Sequence, residues 1–185
     1  MSASFALTSE TVRKAAKLSP CGTYRYNLER TWGTEPPLVC VLCNPSTADA
    51  EEDDPTIRVL SGMARRRGYG GILVVNVFAL RSTDPAALRG HADPDGPEGD
   101  YWLSQAFDRA CGGPVLCAWG NIGAGKRATS ILGEIRNHGA HPVAIKLSKE
   151  GNPVHPLRQK TGEPLVELLH QPAEIRDRPA GAGEE

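Results

Sequence analysis

Asn44, Asn76, Asn121 and His155 are the side chains of this sequence best placed to act on a small molecule. Each follows a short apolar run, directly or after a turn. Residues 38–43 (LVCVLC) lead into Asn44, Pro45, Ser46 and Thr47, and residues 71–75 (GILVV) lead into Asn76, Val77 and Phe78. Residues 114–118 (PVLCA) lead into Trp119, Gly120 and Asn121, and residues 142–147 (PVAIKL) are followed, after a loop, by His155 and Pro156. A carboxamide carries an acceptor and two donors, so Asn44 can orient a water and Asn76 can read a planar edge. An imidazole can donate a proton or stabilise a leaving group near neutral pH. The same residues have plainer uses, since Asn, Pro and Ser are common in turns and caps, and a loop histidine is commonly a surface group.

Two further clusters bear on the chemistry. The acidic run 49–54 reads first as a solvated loop with one capping carboxylate, Asp53 or Asp54, ahead of Pro55. Its second reading is a general base, Asp54, acting on water beside Asn44. Gly120, Gly125 and Lys126 have the spacing of a phosphate loop after a strand, but Arg127 stands where a Ser or Thr would hold Mg²⁺. No later apolar strand ends in an Asp for the metal, which argues against a nucleoside triphosphatase. A helix start carrying Lys126 and Arg127 remains a grip for phosphate. Ser46, Thr47, Asn121 and Lys126 are therefore candidate phosphate contacts. His138, His141 and His170 read as helix-end or surface residues, and His91 as a loop residue.

These clusters need a scaffold that brings four strand ends together. Continuous apolar runs fit parallel strands covered on both faces, with ligands bound outside their carboxyl ends. Residues 24–32 alternate as a strand or hairpin. A helix starts at Pro55 and turns Ile57, Leu60, Met63 and Ala64 inward, and residues 68–71 (GYGG) end it. Residues 84–88 form one helical turn, 91–99 a loop, and 100–110 a helix bearing Trp102, Leu103, Ala106 and Phe107. A helix over 124–137 carries Ile131, Leu132 and Ile135. Short helices are predicted over 8–17, capped by Thr8 or Ser9, and over 164–169. Strands alternating with helices predict an α/β fold, a three-layer α/β/α sandwich with a mostly parallel central sheet. One domain spans 1–170, and 171–185 form a flexible tail.

Composition narrows the setting. A chain of 185 residues suits one cored domain, and a formal net charge of −1 argues against a broad nucleic-acid coat. The five cysteines are odd in number and show no zinc spacing, which fits reduced thiols, three of them in or beside core strands. No apolar stretch approaches a membrane span and no leader stands at the start. A cytoplasmic protein without metal or cofactor is expected, a monomer by default.

In order, residues 24–26 (YRY), 44–49 (NPSTAD), 54–57 (DPTI), 68–71 (GYGG), 76–80 (NVFAL), 119–121 (WGN) and 155–157 (HPL) resemble domain of unknown function 1643, a family of uncharacterised bacterial and phage proteins. More distantly, the order is similar to the uracil-DNA glycosylase superfamily. That resemblance implies that Asn44 handles the catalytic water, Asn76 reads the base and His155 sits at the glycosidic bond, with Pro45, Phe78, Trp119 and Gly120 shaping the pocket. It implies a DNA glycosylase-like hydrolase acting on a modified or damaged base, with DNA as partner. Leu42 and Cys43 replace the usual Gly-x pair, Leu157 replaces a Ser, and no aromatic follows Pro45, departures that bear on uracil as the base. Two alternatives stand beside it: the same fold acting on free nucleotides or nucleosides, and a non-catalytic module that binds a nucleobase or nucleotide.

Overall fold

Successive residues of the first apolar run enter different cores. Leu38, Cys40 and Leu42 join one cluster, Val39 and Val41 the other, as a strand buried on both faces requires. The computed structural model describes residues 11–46, 52–84 and 87–169. In chain order its elements are β1 (Arg13–Leu18), β2 (Arg25–Thr31), β3 (Pro37–Leu42), α1 (Pro55–Arg66), β4 (Gly71–Asn76), α2 (Ala87–Gly90), α3 (Gly99–Asp108), β5 (Pro114–Cys117), α4 (Lys126–Asn137), β6 (His141–Ala144) and β7 (Val166–Glu167). Thr8, Ser9, Thr47, the acidic residues at 49 and 51, His170 and the tail from 171 lie outside the described residues.

The chain is an α/β protein with one seven-stranded sheet in the order β1-β2-β4-β3-β5-β6-β7. The expected mostly parallel sheet is corrected to a mixed one. The parallel pairings β4-β3, β3-β5 and β5-β6 are matched by three antiparallel ones, β1-β2, β2-β4 and β6-β7. The antiparallel pairings lie toward the two edges: β1 and β2 are joined by a short turn and so return antiparallel, while β2 and β7 run against their neighbours β4 and β6.

Helix α1 packs on one face of the sheet through Ile57, Leu60, Met63 and Ala64. Helices α3 and α4 pack on the other through Leu103, Ala106, Phe107, Ile131, Leu132 and Ile135. The i, i+3, i+4 spacing puts each set on one stripe. Leu60, Met63, Ile131 and Leu132 are fully buried, and each such side chain contributes about 1.5–3 kcal/mol of transfer free energy. Gly71 is glycine for a steric reason: a Cβ there would lie 2.5 Å from the Arg30 carbonyl oxygen, inside the β2-β4 pairing.

Two predicted helices are strands. Residues 13–17 of the 8–17 segment, with Leu18, form β1, an edge strand exposed along most of its length, which hides the alternation that would mark it. The 164–169 segment contributes β7, paired to β6 through Val143 and Ala144. Helix α4 begins at Lys126, and β6 ends at Ala144, with Leu147 bridging Pro153 instead. The single turn expected at 84–88 is displaced to α2.

Candidate functional site

Strands β3 and β4 keep hydrogen-bonding after their regular pairing ends. Val77 donates its N–H to the Leu42 carbonyl (2.8 Å), Phe78 to that of Cys43 (3.0 Å) and Ser82 to that of Pro45 (3.0 Å). This zipped extension fixes Asn44. Its Nδ2 donates to the carbonyls of Ser82 (2.9 Å) and Pro45 (3.2 Å), which leaves Oδ1, an acceptor, as the working end of the amide.

Asn44 borders a cavity of about 280 Å³ at the carboxyl ends of the parallel strands. Ser46, Asp54, Trp119, Gly120, Asn121 and His155 also line it, so seven residues singled out in the sequence come together. Asp54 is placed by α1: it is the N-cap, its Oδ1 accepts the Ile57 N–H at 2.8 Å, and Pro55 opens the helix. Its neighbour Asp53 faces away to accept from Arg30 Nε at 2.7 Å.

His155 is held by a tie between two loops. Gly120, at φ +66°, donates its N–H to the Pro153 carbonyl at 2.8 Å. Asn121 Oδ1 accepts from Ser148 Oγ (2.9 Å) and Asn152 Nδ2 (3.1 Å), while its Nδ2 donates to Glu150 Oε2 (3.1 Å). Both ends of the Asn121 amide are thus spent on the loop that precedes His155. In this structure Asn121 positions that loop rather than offering a phosphate contact. His155 Nδ1 accepts the Leu157 N–H at 3.4 Å, so the neutral ring carries its proton on Nε2. Burial pushes the imidazole below its ordinary pKa of 6.5, and Asp54 works in the opposite direction.

Sequence reasoning missed Arg25, the first residue of β2, which is 5% exposed and also lines the cavity. Burial lowers its guanidinium to about 10, with the Asp54 charge opposing that loss, and it stays protonated at neutral pH. The available signal was a cation between two aromatics, Tyr24 and Tyr26, in an otherwise alternating strand. Leu42, Cys43, Thr56, Ile57 and Ile122 complete the lining, and Ile122 is 55% exposed.

Other predicted site residues sit elsewhere. Pro45 and Phe78 do not line the cavity, and Phe78 packs against the core under α3 and α4. Lys126 is exposed at the start of α4, also off the cavity. Arg127 is engaged by Asp95 (3.4 Å), Asp100 (2.5 Å) and the Val77 carbonyl (3.4 Å). Asn76, opposite Leu42 in the sheet, does not line the cavity; it is 6% exposed, and neither atom of its amide has a hydrogen-bond partner among the described residues. Buried Ser46 Oγ and Trp119 Nε1 share that condition. Among the described residues no cluster of three or more His, Cys, Asp or Glu is arranged to hold a metal ion, and no helix is long and apolar enough to cross a membrane.

Residues 25–157 match the family model described as protein of unknown function (DUF1643). The chain belongs to the DUF1643 family. No curated protein and no solved structure matches it. The matched segment begins at Arg25 and includes Asn44, Asp54, Trp119 and His155, so every cavity residue of this DUF1643 chain falls within the stretch that defines the family.

Proposed function

We propose that this DUF1643 protein hydrolyses the N-glycosidic bond of a modified or damaged base, on a uracil-DNA glycosylase-like, three-layer α/β/α scaffold. The observation that carries the reading is the convergence of Asn44, Asp54 and His155, from three distant segments, on one cavity at the sheet's carboxyl edge. Helices on both faces of the sheet are the packing such a scaffold needs. The cavity is smaller than sites for drug-sized ligands, which suits one base with its sugar.

In the proposed reaction Asn44 Oδ1 accepts a hydrogen bond from the attacking water. The water oxygen bonds to the sugar carbon as the carbon–nitrogen bond breaks, and the bonding pair leaves with the base. Asp54 takes the proton of the water, while His155 Nε2–H donates to the departing base and stabilises its charge. A base in duplex DNA would first be extruded, at a few kcal/mol of unstacking.

Oligonucleotides carrying a panel of modified bases, incubated with wild type, Asn44→Ala and His155→Ala and resolved on gels after alkaline strand scission, test this. The expected outcome is cleavage at one or a few bases that falls at least about 100-fold in either variant. No cleavage of any member by a folded protein sinks the hydrolase reading and leaves a base-binding module.

A second reading keeps the chemistry and changes the substrate to a free nucleoside or nucleotide. The placement of the cations favours it: Lys126 lies off the cavity and Arg127 is engaged by two aspartates, so neither helps form a track for a polyanionic strand. A weak dependence of binding on salt separates this reading from a DNA substrate.

A further inference from the structure

The three tryptophans of the chain treat their indole N–H groups differently. Trp32 Nε1 donates to the Tyr69 carbonyl at 2.8 Å and Trp102 Nε1 to Glu98 Oε2 at 2.9 Å, although both residues are only partly buried and within reach of water. Trp119 is 2% exposed, and its Nε1–H has no partner among the described residues. A buried N–H left in that state is rare, because nothing replaces the hydrogen bond that water gave it. The Trp119 ring belongs to the apolar cluster under α3 and α4 and also lines the cavity, so the cavity is the side from which an acceptor can reach it. The indole is also held in place. The turn after β5 folds back so closely that a Cβ on Gly123 would lie 2.7 Å from Trp119 Cβ.

We infer that Trp119 is the residue by which the cavity selects its base, and that the selected base turns a carbonyl oxygen toward the indole Nε1–H. An indole N–H donates and cannot accept. A carbonyl therefore matches it, while an amino group in the same place sets donor against donor. The other polar groups of the cavity carry the same bias. In the proposed reaction Asn44 Oδ1 and Asp54 serve the water, which leaves His155 Nε2–H and the Ser46 hydroxyl, buried without a partner among the described residues, to meet the ligand together with Trp119. Asn76, to which the glycosylase resemblance gave the base edge, does not line the cavity, and Trp119 takes over that task. A site built around a hydrogen bond rejects the analogue that cannot make it far more strongly than an apolar pocket rejects a missing methylene. The inference rests on the cavity being a base site, and it does not require that hydrolysis occurs there.

Titration of the full chain with 2′-deoxynucleosides in matched pairs tests it, deoxyinosine against deoxyadenosine and deoxyuridine against deoxycytidine, each pair exchanging a ring carbonyl for an amino group. Affinities come from calorimetry, and the indole protons of isotope-labelled tryptophan, assigned through Trp32→Phe and Trp102→Phe, are followed by NMR. In at least one pair the carbonyl member is expected to bind at least about tenfold more tightly. Its binding shifts the Trp119 indole proton and leaves those of Trp32 and Trp102 in place. In Trp119→Phe, which keeps an aromatic ring and removes the donor, the gap closes to within about twofold. Circular dichroism and thermal melts establish whether that variant is folded, and the wild-type affinities and indole protons carry the comparison if it is not. Equal affinity within both pairs, a gap that persists in folded Trp119→Phe, a Trp119 indole proton that no nucleoside moves, or no binding of any nucleoside by folded wild type overturns the inference. Carbonyl-selective binding without cleavage of any base would sink only the hydrolase reading, whereas cleavage of amino-bearing bases as fast as carbonyl-bearing ones would sink only this one.

Discussion

Asn44 shows how far a single amide can be specified by its surroundings. Two carbonyl oxygens, those of Ser82 and Pro45, both require a donor, and Nδ2 is the only end of the side chain that can serve. Asn44→Asp is therefore not a small change. It sets a carboxylate against two carbonyls, and we expect it to destabilise the fold by about 1–3 kcal/mol, read as a lower urea midpoint. An unchanged midpoint would mean that Oδ1, not Nδ2, faces the carbonyls. Asn76 presents the opposite case, a buried amide with neither end bonded among the described residues. Replacing such a group by an apolar one of similar shape is near neutral or stabilising, so Asn76→Leu should hold or raise the midpoint. A loss above about 1 kcal/mol would reveal a bonded amide. Asn44, Ser46, Asp54, Trp119 and His155 could be found in the sequence because each is a polar or turn residue beside an apolar run or a helix start. Arg25 was harder to find, because it stands at the head of an alternating strand where a charge usually marks the solvent face, and its one signal was the pair of flanking tyrosines.

Among the elements, legibility followed burial. The strands β3, β4 and β5 have continuous apolar sequences because both faces are covered, and α1, α3 and α4 carry a clear inward stripe. Strand β1 had no such pattern: Arg13, Lys14, Ala15, Ala16 and Lys17 favour helix by propensity, and pairing with β2 overrides it. Strand β7 spans two residues, too few to show a period. The acidic run resolved into two separate duties, an ion pair from Asp53 to the buried Arg30 and a helix cap from Asp54. The cap can be separated from the charge. Asp54→Asn keeps an acceptor for the Ile57 N–H, so stability should stay within about 0.5 kcal/mol, whereas Asp54→Ala should cost about 1 kcal/mol. In Asp54→Asn the charge that raises the His155 pKa is gone, so the imidazole titrates at still lower pH, followed by its ring protons in NMR. An unmoved His155 titration would show that Asp54 does not act on it.

At the scale of the whole molecule, the titrating groups give stability a defined dependence on pH. His155 has a folded pKa below its ordinary 6.5, so the unfolded chain binds this proton first, and stability falls as pH drops below about 6.5. Cys21, exposed on the β1–β2 turn, is lowered from 9.0 to about 7 by hydrogen bonds from Ser19 and Thr23, so it adds stability as pH climbs from 7 to 9. The buried thiols act in reverse. Burial raises Cys40 and Cys117 far above 9.0 and Cys43 to about 11, so above pH 9 the unfolded chain loses protons that the folded one keeps. Each fully buried thiol steepens that alkaline decline by at most about 1.4 kcal/mol per pH unit. Urea midpoints measured from pH 6 to 10.5 should therefore rise to a maximum near pH 9 and then drop. His155→Gln should flatten the acid limb and Cys117→Ala the alkaline one, each leaving the other limb in place. A curve that keeps climbing past pH 10 would mean that Cys40 and Cys117 are open to solvent, and with it the two-sided burial of β3 and β5 that holds Asn44 and Trp119 at the cavity would fail.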